Sequence, residues 1–103
     1  MQGNKREINI KPSCMNEIQA YPSGNAAQLW EKINYIVSDP IPDGKLKKKL
    51  HVHEGVYRLR VGDYRIFYTF GDSWVSLLGL RRRQEHLYKE KIDGETLIDI
   101  FKN

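Results

Sequence analysis

The stretch GVYRLRVGDYRIFY, residues 55–68, constrains the fold of this chain more than any other. Two runs rich in aromatic and β-branched residues flank Gly62-Asp63, the signature of a two-residue hairpin loop. Such a loop sets the register: Val61 faces Tyr64, Arg60 faces Arg65, Leu59 faces Ile66 and Arg58 faces Phe67. Strand side chains alternate between faces, so Tyr57, Leu59, Val61, Tyr64, Ile66 and Tyr68 share an apolar face. The other face gathers Arg58, Arg60, Arg65 and Phe67. Directly opposed like charges cost from a few tenths to about 1 kcal/mol, even with solvent screening. Folding alone would favour Thr, Glu or a mixed-sign pair there, and a local choice against stability is expected where a chain functions. The cluster therefore reads as an anion site on an open sheet face. The plainer alternative has the arginines fan into solvent or meet acids such as Glu85 or Glu90.

Further signals complete an α+β outline. Glu7 to Lys11 alternates Ile8 and Ile10 with polar neighbours and reads as a short strand ended by Pro12. Ser13 is the expected cap of a short helix through Ala20. From Asn25 to Ser38, Ala26, Leu29, Trp30, Ile33, Ile36 and Val37 recur at helical spacing, one stripe of an amphipathic helix. DPIPDG (39–44) stops that helix, and KLKKKLHVHEG reads as a basic connection. Three strands follow, near 55–61, 64–70 and 74–81, with Gly71-Asp72, or Gly71-Asp72-Ser73, joining the last two. Short loops between them imply an antiparallel meander, with the helices on one face. The tail from Glu95 to Phe101 suits either a helix or a strand. The 103 residues are expected to form one domain, 1–103.

The third strand ends in GLRRRQEHLYKEK, residues 79–91. A two-residue loop before it puts Arg82 on the face of Arg65, whereas a one-residue bulge puts Arg81 and Arg83 there. Both options stay open at this level. Charge concentrates here: residues 45–91 hold twelve of the seventeen Lys and Arg against five acids, although the whole chain is only +4. Such asymmetry suggests a surface that meets a polyanion, nucleic acid being the usual one. The single cysteine, Cys14, excludes a disulfide framework and a cysteine zinc cluster. Apolar runs are too short to span a bilayer, and MQGNKREINI lacks the apolar stretch of a secretory signal, so a cytoplasmic location is expected.

DPIPDGKLKKKL, GVYRLRVGDYRIFYTF and LLGLRRRQEHLY together resemble the RelE branch of the RelE/ParE toxins of bacterial toxin–antitoxin systems. The resemblance runs from the first strand to about Tyr88. It implies a ribosome-dependent mRNA endonuclease acting in the A site, neutralised by a cognate antitoxin and needing neither metal nor cofactor. In that family the ribose 2′-oxygen attacks its own phosphate. By the resemblance, Arg58 and Arg60 hold the phosphate, Arg65 stabilises transition-state charge, and Arg81, with Arg83 beyond it, assists the leaving 5′-oxygen. Tyr88 would stack on a base or move a proton, and His86 and Glu85 are the conventional acid–base groups nearby, with His51 and His53 behind them. Lys45, Lys47, Lys48, Lys49 and Arg82 would contact ribosomal RNA phosphates. Departures are that arginines replace the lysines common before the hairpin, and that the third-strand-to-tyrosine spacing differs from the family pattern. Two other classes share the fold: a ParE-like toxin that inhibits DNA gyrase without nuclease chemistry, and a degenerate domain that only binds RNA or a partner protein.

Overall fold

The computed structural model describes residues 6–44, 47–50, 55–82 and 100. Its elements are β1 (Glu7–Ile10), α1 (Pro12–Gln19), a 3-10 turn (Ser23–Asn25), α2 (Ala26–Ser38), β2 (Lys47–Lys49), β3 (Tyr57–Val61), β4 (Tyr64–Phe70) and β5 (Trp74–Arg82). They build an α+β fold with one five-stranded sheet in the order β1-β5-β4-β3-β2. The meander β3-β4-β5 is antiparallel as expected. Two strands extend it at opposite edges. Strand β1 pairs parallel with β5, and β2 pairs antiparallel with β3, so part of the expected basic connection is an edge strand. Among the described residues no helix is long and apolar enough to cross a membrane.

The β3–β4 register is the expected one, Val61↔Tyr64 through Tyr57↔Tyr68. Gly62 has φ +55°, and among the described residues no non-glycine has positive φ. That suits a hairpin loop with glycine at its first central position, where a side chain would be strained. Pro12 ends β1 and also begins α1, where its missing N–H is harmless. Lys11, rather than Ser13, occupies the N-cap, and no side chain caps the helix.

One face of the sheet carries the main core. Cys14 and Ile18 of α1 and Leu29, Ile33 and Ile36 of α2 pack on Leu59, Val61, Ile66, Tyr68, Val75, Leu77 and Leu80. Trp30, expected in the apolar stripe, stands 40% exposed, because its helical angle takes it past the sheet-facing residues. The Tyr68 hydroxyl donates to the Pro40 carbonyl at 2.7 Å, tying the chain after α2 to the middle of the sheet. On the opposite face a smaller cluster joins Leu50, Val56, Phe67 and Ile100. Ile100, the one described residue of the expected tail, is helical and lies over Gly79. A Cβ on Gly79 would approach the Ile100 Cδ1 to 2.6 Å, so a side chain there would force Ile100 to shift.

Candidate functional site

The cationic site is built from strand alternation and one irregularity. Gly71 N–H donates to the Trp74 carbonyl, closing a two-residue loop at Asp72-Ser73. Carried through the strand, that loop alone would put Arg82 on the face of Arg65. A register shift between Phe67 and Tyr68 intervenes: Tyr68 pairs with Leu77, Phe67 with Gly79, and Leu78 is the extra residue. Arg65 therefore lies across from Arg81, and Arg82 lies across from Tyr64 on the other face, exposed. Arg60, Arg65 and Arg81 form one cross-strand row, and Lys48, Arg58, Phe67 and Gly79 form the row beside it.

This face is not the open one that alternation suggests. Arg65 is 3% exposed and Arg58 7% exposed, while Arg60 is half-buried. The Arg60 Nε is buried with no hydrogen-bond partner among the described residues. Alternation specifies which face a side chain takes but not how deep it sits. The Phe67–Ile100 cluster on the same face makes that side of the sheet partly interior. Burying neighbouring guanidinium groups is costly unless anionic or hydrogen-bonding groups meet them.

Arg81 is anchored at the sheet edge. Strand β1 borders β5 only from Trp74 to Leu77. Helix α1, which follows β1 directly, brings Glu17 to the stretch beyond. One Glu17 carboxylate oxygen accepts the Leu80 N–H at 3.0 Å, and the other pairs with Nη1 of Arg81. The same Nη1 lies 3.3 Å from the Leu80 carbonyl. Sequence reading missed Glu17, because only the parallel β1–β5 pairing carries it there. Cys14 lies in the core below this corner. Burial pushes its thiol up to about 11, against the opposing pull of Arg81 and Lys11.

The lysine run divides by strand parity. Lys48 pairs with Arg58 and is exposed on the arginine face, and Lys49 is exposed as well. Lys47, expected to meet RNA, instead faces the helices and is 1% exposed. Its ammonium donates to the Asp39 carbonyl at 2.6 Å, lies 3.5 Å from the Asp39 carboxylate and sits 4.2 Å from the Tyr35 ring centroid. A cation at the C-terminal end of α2 is favourable, and the buried lysine stem adds apolar contact. Lys47 is thus a structural residue. Lys45, His51, His53, Arg83, Glu85, His86, Tyr88 and Glu90 lie outside the described residues.

No family model matches the chain. In sequence it is 28% identical over 87 residues to "Putative toxin RelE1" of Methanocaldococcus jannaschii, spanning 82% of this chain and 97% of that protein. Its fold is similar to the toxin fold in the archaeal RelE–RelB complex from Pyrococcus horikoshii OT3, with TM-score 0.64 and 23% identity over 80% of this chain and 99% of that one. It is also similar to the isolated E. coli RelE toxin, with TM-score 0.67 and 16% identity over 92% and 98% of the two chains.

Proposed function

We propose that this member of the RelE-type toxin superfamily is a ribosome-dependent mRNA endonuclease, cleaving in the A site and restrained by a cognate antitoxin. The observation that carries the reading is the row Arg60–Arg65–Arg81 with Arg58 beside it, four guanidinium groups on one partly interior sheet face. A phosphodiester is the ligand that such a face fits, since arginine forks match phosphate oxygens and partial burial strengthens each contact.

The chemistry follows from what guanidinium groups can do. The ribose 2′-oxygen forms a bond to the adjacent phosphorus while the bond from phosphorus to the 5′-oxygen breaks. The products are a 2′,3′-cyclic phosphate and a 5′-hydroxyl end. Arg58 and Arg60 hold the phosphate in line, Arg65 meets the charge that builds on its non-bridging oxygens, and Arg81 stabilises the departing 5′-oxygen. Arginine is a poor base near neutral pH because its pKa exceeds about 12. The proton transfers therefore fall to two groups among Tyr88, His86 and Glu85: one, deprotonated, accepts the 2′-hydroxyl proton, and another, protonated, gives its proton to the departing 5′-oxygen. Exposed Lys48, Lys49 and Arg82, together with Lys45, bind ribosomal RNA phosphates without reading sequence.

The antitoxin supplies an acidic or amphipathic segment that covers the cationic face. Solved relatives include RelE–RelB complexes, which supports a partner of that kind. Induced expression should arrest translation and leave codon-phased cuts with 5′-hydroxyl ends in ribosome-bound mRNA. Arg65→Ala should lower cleavage about 100-fold or more while the domain stays folded. DNA damage or inhibition of free gyrase with intact mRNA would instead support the ParE-like reading.

A further inference from the structure

We propose that Glu17 is a positioning residue, setting the guanidinium of Arg81 for the departing 5′-oxygen. The inference rests on the nuclease reading above, and it assigns a role to a helix that carries none of the arginines.

Glu17 is fixed at both ends of its carboxylate. Strand β5 runs on to Arg82, but its β1 neighbour stops opposite Leu77. The Leu80 N–H on that side has no strand partner and is taken by Glu17 at 3.0 Å. The second oxygen then lies against Nη1 of Arg81, the next residue along the strand. An arginine side chain has many rotamers, and ordering one costs up to about 2 kcal/mol. A carboxylate locked to the backbone of the preceding residue removes much of that freedom before substrate arrives.

A plainer account makes Glu17 a cap for one edge N–H with an incidental ion pair. Both side chains are about a quarter exposed, at 25% for Arg81 and 26% for Glu17, and such pairs add little to stability. A neutral Gln could accept the same N–H, however. A carboxylate beside Arg81 also works against anion binding by lowering the local positive potential. Keeping the negative charge at an anion site is therefore a cost in affinity, which fits a gain in the aim of Arg81. The prediction is specific: removing the charge should slow bond cleavage while leaving substrate affinity equal or higher.

The test uses full-length toxin on mRNA-programmed ribosomes, under single-turnover conditions. Glu17→Gln keeps an oxygen for the Leu80 N–H and removes only the charge. It should cut the rate at saturating toxin by about 10- to 100-fold, the scale expected for misplacing a reacting group. The half-saturating toxin concentration should stay level or fall. In an Arg81→Ala background the same substitution should change the rate less than about twofold, because its target is gone. An unchanged urea midpoint for Glu17→Gln would show that the effect is not unfolding. A wild-type rate in Glu17→Gln overturns the inference, as does an equal loss in both backgrounds. A wild-type toxin that leaves ribosome-bound mRNA intact sinks the nuclease reading, and this inference with it.

Discussion

Replacing Arg60 by Gln should make the domain more stable while weakening its activity. Arg60 stands directly across from Arg65, which in turn stands across from Arg81, so the middle cation has a like charge on each side. Opposed side chains start with Cβ atoms about 5 Å apart, and the guanidinium groups can fan out to about 7 Å. At that separation two unit charges repel by about 0.6 kcal/mol in water and by about 2.4 kcal/mol at an effective dielectric of about 20. Arg60 is half-buried, so the value lies between these limits, and salt near 0.15 M reduces it by about half. The substitution also removes a buried Nε that has no partner among the described residues, while Gln keeps part of the apolar stem. The net expectation is a gain of about 0.5–1.5 kcal/mol, or roughly 3–10 °C in Tm for a domain of this size. Thermal and urea unfolding at about 50 mM and about 500 mM salt would measure it, with the gain shrinking at the higher salt. A variant less stable than wild type at low salt would refute the account, because Arg60 would then sit in a net attractive field.

Three other substitutions test separate parts of the structure. Lys47→Ala should cost about 2–4 kcal/mol in urea unfolding, through the lost stem and the lost bonds to Asp39, whereas Lys48→Ala should cost under about 0.5 kcal/mol and weaken RNA binding instead. Tyr68→Phe should cost about 1–3 kcal/mol, since the Pro40 carbonyl loses its donor; burial also raises the pKa of that phenol, so it stays a donor well into alkaline solution. For Cys14, burial raises the thiol from its ordinary 9.0 to about 11, so the folded chain holds this proton longer than the unfolded one. The resulting stability is fully present below pH 9.0 and is lost as pH climbs through about 11, and urea midpoints of Cys14→Ala should decline less over that window than those of wild type.

Local rules read from the sequence reached as far as local geometry determines the answer. The Gly62-Asp63 loop sets every pair in the first hairpin, so Arg58, Arg60 and Arg65 share a face with no tertiary information needed. The second hairpin shows where such rules stop. Its loop favours Arg82 on the face of Arg65, and one extra residue at Leu78 puts Arg81 there instead. Nothing local to Leu78 marks a bulge; what accompanies it is Gly79, whose bare backbone admits Ile100 from the far end of the chain. The same limit hid Lys47, where four basic residues in five read as a solvated run although strand pairing turns one of them inward.

The two faces of the sheet thus treat charge differently, in a way that composition cannot display. The helix-bearing face satisfies its polar groups: Tyr68 reaches Pro40, and Lys47 reaches Asp39. The arginine face keeps like charges together and leaves a buried guanidinium nitrogen of Arg60 without a partner among the described residues. A chain selected for folding alone would relieve that strain with one glutamate opposite Arg65, at position 60. Glu17 comes instead from a helix at the row's outer edge and engages Arg81. Arg60 and Arg65 face each other at the centre of the row while Glu17 stands at its edge, and this placement makes the Arg60 and Glu17 variants opposite in expected effect. Losing Arg60 removes charge repulsion and gains stability at the cost of phosphate binding, whereas neutralising Glu17 leaves binding intact and slows the chemical step.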